Sequence, residues 1–269
     1  MALFPRNENH GGVLRAPREK TGFVKYASIY LTHFWKLLAL NFIYFVFCIP
    51  IITIGPATAA MTKVCRNYYQ ERHAYLFADF WKAFKQNFKQ GVVFGLINTI
   101  FAAGFLVGIP FYWSWAKEMP MMYAPMFISI AFMLVLIMMS GYIFIMVSST
   151  NLKVKQILKN SFILVYLGLK RSLAFLVIYV ALMSLLLLFF PVSLIFAAIF
   201  PFSFIAYVDC SCCYPIVRKY IIQPYYDQRG EENPEDVYLD THDERVFVDT
   251  PEYVTDSQRK AKKKKMVIK

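Results

Sequence analysis

The sequence predicts an all-α protein: a polytopic membrane helix bundle of five to six spans, with a broken first hydrophobic segment and an amphipathic interfacial helix. Two observations carry this reading. Of the 269 residues, 58% are hydrophobic and 18% aromatic, against about 45–50% apolar in a soluble domain. Four stretches, residues 37–62, 90–116, 119–152 and 172–208, contain no Asp, Glu, Lys, Arg or His. A soluble helix needs a charged face, and these stretches have none. The net charge of +12 does not mark a nucleic-acid binder, because the basic residues lie between the apolar stretches. The expected partner is the lipid bilayer, and no nucleic acid.

Residues 1–22 are polar and form a flexible basic segment. The first apolar run begins too late for a cleaved signal. Within 37–62 lies "CIPIITIGPATAAM", with Pro50, Gly55 and Pro56 inside seven residues, the residues least suited to a helix interior. Both flanks are basic: Arg6, Arg15, Arg18, Lys20, Lys25 and Lys36 before, and Lys63, Arg66, Arg72, Lys82, Lys85 and Lys89 after. Basic flanks stay in the cytoplasm, so one crossing does not connect them. Two legs do. One runs from about Phe34 to Ile49, the chain turns through Thr53 and Gly55, and Pro56 opens the second leg at the first helical position. Lys63 follows Pro56 by only seven residues, so either the turn is re-entrant or Lys63 and Arg66 line a polar cavity. The alternative is five spans with an external N-terminus. Irregular backbone at membrane depth survives only where protein or a water-filled cavity satisfies it. Pro50, Thr53, Gly55, Pro56, Thr58, Lys63 and Arg66 are therefore the candidate turn and pocket.

In "FADFWKAFKQNFKQG", Phe77, Phe80, Trp81, Phe84 and Phe88 follow helical spacing, with Lys82, Lys85 and Lys89 on another face. This reads as a helix in the inner interface, its rings among acyl chains, or as a docking face. Gly91-x-x-x-Gly95 and Gly104-x-x-x-Gly108 allow close helix approach, within the chain or in a homo-oligomer. Spans are expected near 91–113, 125–147, 172–190 and 192–208. The 37 residues from Ser172 to Val208 make a helix of roughly 55 Å, too long for a hydrocarbon core of about 30 Å, so Pro191 marks a turn. Asn41 and Asn98 need hydrogen-bond partners, most simply between helices. The segment 153–171 carries five basic residues and no acid, so it lies inside.

Cys48, Cys65, Cys210, Cys212 and Cys213 do not read as a disulfide framework, and the last three read as small, weakly polar filler rather than a metal site. Residues 215–223, between two prolines, read as a short interfacial helix. Residues 23–226 make the membrane domain. Residues 227–269 make a charged, disordered cytoplasmic tail, with eleven acids between Asp227 and Asp256 before "RKAKKKK". Apart from Lys63 and Arg66, no ionisable group is expected inside the membrane. No metal motif, phosphate loop or nucleophile–base pair is visible. The expectation is no enzyme, no cofactor and no metal.

"IPIITIGPATAAM", followed by "ADFWKAFKQNFKQG", resembles the YesL-like family of bacterial membrane proteins, a domain of unknown function. The resemblance covers residues 26–226. It implies a plasma-membrane protein encoded near sugar-import ABC transporters and glycan-degrading enzymes. It also implies a non-enzymatic accessory or regulatory role in carbohydrate uptake, with transporter subunits or a membrane sensor as partners. It supplies no catalytic residues. The competing class is a stand-alone transporter or channel. For that class an uncharged, aromatic interior suits a neutral solute such as a sugar better than an ion.

The charge pattern places both termini in the cytoplasm. A cytoplasmic reporter fused after Lys269 should be active and a periplasmic one silent; the reverse would invert the whole orientation.

Overall fold

The structure is a computed structural model. It describes residues 23–229 other than His73, together with Asn233; at 23–25, 194 and 195 it describes the backbone alone. The chain divides into two units, Met1–Glu231 and Glu232–Lys269, and every element below belongs to the first. The expected basic segment 1–22 lies outside the described residues, as does nearly all of the expected tail.

Among the described residues there are eleven α-helices and no strand. They are α1 (Phe23–Thr32), α2 (Phe34–Phe47), α3 (Ile54–Tyr69), α4 (Leu76–Gln86), α5 (Phe88–Ala116), α6 (Tyr123–Ser149), α7 (Val154–Leu167), α8 (Leu169–Leu188), α9 (Ser193–Ile199), α10 (Pro201–Val217) and α11 (Gln223–Arg229). Three segments, Phe88–Ala116, Pro120–Ser149 and Leu169–Leu188, are long and apolar enough to cross a membrane. The pair Tyr26–Thr32 and Phe34–Phe47, bent by 75°, raises the number to four. Among the described residues, length and composition alone thus give three to four spans where five to six are expected. The difference falls on the two segments that proline breaks. Leu106 and Leu188, on α5 and α8, are 74% and 78% exposed, as lipid-facing side chains are.

The ends of the helices are tied together on one side. The Gln90 amide of α5 donates to the Leu152 carbonyl beyond α6 at 3.0 Å. Gly168, just before α8, lies against Ile216 of α10 and the Tyr142 hydroxyl of α6. So α5 and α8 begin, and α6 and α10 finish, at the same end. Lys89, Lys153, Lys170 and Arg218 all fall there by position.

Helix α3 crosses this end of the bundle. A Cβ on Gly55, in its first turn, would strike the Gly91 carbonyl oxygen and stand 2.7 Å from the Gly95 Cα. A Cβ on Gly91 would stand 2.7 Å from the Pro56 Cα. Gly91 and Gly95 lie in the first two turns of α5. At the other end of α3, the Gln70 amide donates to the Tyr214 hydroxyl at 2.5 Å, close to the end of α10. Both termini of α3 therefore meet the same end of the bundle. Ala57, Ala59, Ala60, Val64 and Cys65 are fully enclosed along the way. Only small side chains fit where a helix is surrounded by others at backbone distance.

Helix α2 runs antiparallel to α3. Tyr44 meets Thr58, hydroxyl to hydroxyl, at 3.2 Å, and His33 meets Tyr68 at 4.8 Å between rings. The chain reverses at Pro50, which is extended at φ −77° and ψ 125°. The Thr53 hydroxyl closes the turn by donating to the carbonyls of Phe47 and Pro50, at 2.5 and 2.7 Å. The expected break and reversal are present, with one difference at Pro56. Pro56 is the third residue of α3, where the amide also lacks an intrahelical partner, and not the first. The turn does not reach the far face. Phe47 packs on Phe80 and Phe84 of α4, at 5.2 Å each, beside the start of α5. Helix α3 ends at Glu71, which takes φ 55°. Glu71 N–H donates to Tyr68 O and Arg72 N–H to Asn67 O, the bond pattern of a left-handed helix cap.

The turn expected at Pro191 separates α8 from α9. The expected separate helix at 215–223 is instead continuous with its neighbours. Pro215 lies inside α10, and a π-helical turn, Arg218–Ile222, leads into α11. Proline removes one amide from the ladder, and a wide turn is one way a helix absorbs such a defect. Asn41 is fully buried and stitches the break between α9 and α10. Its amide donates to the carbonyls of Ala197 and Ala198, at 3.1 and 2.7 Å, and its oxygen accepts from the Ser203 N–H at 2.9 Å.

The contact glycine Gly55 and the open glycine Gly104 predict different responses. Gly55→Ala should lower stability by about 1–3 kcal/mol through overpacking. Gly104→Ala, with open space around it, should stay within about 0.5 kcal/mol. Fluorescence-detected melting in detergent measures both, and equal melting temperatures would sink the contact.

Candidate functional site: an intramembrane groove

A cavity of about 680 Å³ opens between α2, α3, α5, α6, α8 and α10. Its walls are apolar, with Phe101 and Phe105 on α5, Met133 and Phe144 on α6, and Phe175 and Met183 on α8. Along α5 it extends from Asn98 to Pro110, about 18 Å of helix rise. Phe101 is 40% exposed and Leu187 71%, so the cavity is a groove that opens sideways between helices. Its polar groups are few: Tyr44, Thr58, Thr62, Asn98, Ser140, Tyr179, Ser184 and Asp209. Thr58 and Thr62 donate back to the carbonyls of Ile54 and Thr58, at 2.7 and 2.8 Å. Their hydroxyls are therefore already seated, and each presents its remaining acceptor capacity.

The expected pocket residues divide. Thr58 lines the groove. Gly55 and Pro56 form the backbone contact with α5, and Pro50 and Thr53 form the exterior turn. Lys63 is half-buried, and Arg66 is 1% exposed with its guanidinium 5.6 Å from the centre of the Tyr214 ring. Neither cation is among the groove's lining residues. The open space thus lies further along α3 than the turn. The aromatic stripe divides too. Phe80 and Phe84 are buried on α3 and Phe47, whereas Phe77 and Trp81 of α4, and Phe88 at the start of α5, are exposed. Lys85 lies over the Trp81 ring at 4.7 Å. All five cysteines are free, with Cys65, Cys210 and Cys213 buried.

Asp209 was not expected. It follows the uncharged run 172–208 by one residue, which suggests a surface position. Yet α10 continues for eight more residues, and Asp209 is only 5% exposed. Its carboxylate lies against α6 at Gly141, where a Cβ would stand 3.0 Å from Cγ. Its Oδ1 has no hydrogen-bond partner among the described residues. The signal in the sequence is "IAYVDCSCCYPIV": one acid inside a run of small and apolar residues, with no basic residue before Arg218.

With this geometry in view, comparison with known proteins adds one likeness. No curated protein and no solved structure matches the chain. The family model described as "Protein of unknown function, DUF624" matches residues 29–109, the segment that holds the α2–α3 reversal, the buried crossing helix and the Gly55–Gly91 contact.

Proposed function

We propose that this membrane protein is a non-enzymatic binding component that holds a small amphipathic molecule in the groove between its helices. The observation that carries this reading is the groove itself: a long apolar body with a few polar groups on α2, α3, α5, α6, α8 and α10. Small-molecule sites have this make-up, mostly apolar walls with a few placed polar atoms. The basic end of the bundle is its cytoplasmic side, by the excess of Lys and Arg in the short segments there. A photoreactive octanol added to the purified protein tests the site. Adducts should concentrate on Phe101, Met133 and Met183, and Ala102→Trp, which fills the groove from α5, should remove most of them. Adducts spread evenly over every lipid-facing helix would overturn the reading.

A second reading concerns partners. The exposed Phe77 and Trp81 on α4, beside Lys82 and Lys85, offer a docking face. This fits the accessory role in carbohydrate uptake implied by the YesL-like resemblance, with sugar transporter subunits as the docked chains. Mild solubilisation from native membranes should then co-purify permease subunits. Phe77→Ser with Trp81→Ser should release them while melting unchanged. Loss of neither would remove the docking role.

A further inference from the structure

The groove has one carboxyl group and no basic residue. Among its lining residues Asp209 is the sole acid, and there is no Lys, Arg or His. Asp209 is more than nine-tenths buried, and its Oδ1 lacks a hydrogen-bond partner among the described residues. Gly141 keeps α6 clear of the carboxylate, since any Cβ there would strike Oδ1. The Cys213 thiol, one turn further along α10, hydrogen-bonds the carboxyl group and is a weak donor. An anion enclosed away from water is costly unless a positive group accompanies it. Tyr44, Phe144 and Phe175 line the same space, and aromatic rings attract cations, ammonium groups above all.

From these we infer that the groove takes a single-chain amphiphile, seating its ammonium group at Asp209 and its alkyl chain along Phe101, Phe105 and Met133. This rests on the groove-binding reading above and names the class of molecule bound. A zwitterionic phospholipid fits less well. Its ammonium is tethered to a phosphate, and the groove has no basic residue to receive that phosphate.

The test is competition against the photoreactive octanol on full-length protein in maltoside micelles. The competitors are dodecylamine, dodecyltrimethylammonium, dodecanol and a phosphatidylethanolamine. The two ammonium amphiphiles should displace the label at concentrations on the order of tenfold below dodecanol. In Asp209→Asn, which keeps the shape and removes the charge, that preference should vanish while dodecanol competes as before. Equal competition by dodecanol and dodecylamine in the wild-type protein would overturn the ammonium assignment and leave the groove reading standing. This comparison does not depend on the variant folding. Phosphatidylethanolamine competing as well as dodecylamine would overturn the single-chain assignment. Failure of the octanol to label the groove at all would instead overturn the groove reading beneath it.

Discussion

The backbone contact between Gly55–Pro56 and Gly91–Gly95 is the constraint on which the rest of the bundle depends. It fixes where α3 enters, at the level of the first turns of α5. With its other end on Tyr214, α3 has no course left but across the bundle. Everything packed around α3 inherits that geometry. Helix α2 lies antiparallel beside it, α4 packs beneath Phe47, and Thr58 and Thr62 line one groove with Asn98, Ser140 and Asp209. In lipid there is little hydrophobic gain from bringing helices together, so close packing of small residues carries the association.

Polar groups divide between two ends of one crossing helix. At Arg66, Gln70 and Tyr214 they meet one another and lock α3 to α10. At Thr58, Thr62 and Asp209 they face the groove. The first set is structural, since its groups pair within the protein. The second leaves capacity toward the space between helices, and this is what sets the groove apart from ordinary gaps on a lipid-facing surface.

Much of the fold was legible in the sequence. The uncharged blocks located α5, α6 and α8, because a span exposed to lipid carries no charge over a length that the bilayer sets. Pro191 gave the hairpin, and Pro50 with Gly55 gave the reversal. The crossing course of α3 was not legible. A helix lying across a bundle obeys no length rule, and Lys63 and Arg66 read as badly placed charges rather than as one end of a buried helix. Glycine spacing announced a close approach but not its partner. Asp209 was hidden by its place at the boundary of an apolar run, where the continuation of α10 through Pro215 carried it inward.

Asn41 has a consequence for the order in which the protein is assembled. The break between α9 and α10 leaves two carbonyls and one amide with no partner in their own helices, a heavy burden in hydrocarbon. All three are met by one side chain, more than 150 residues earlier in the chain. The last broken segment is therefore not a self-sufficient unit of insertion. It settles against a side chain that translation has already delivered.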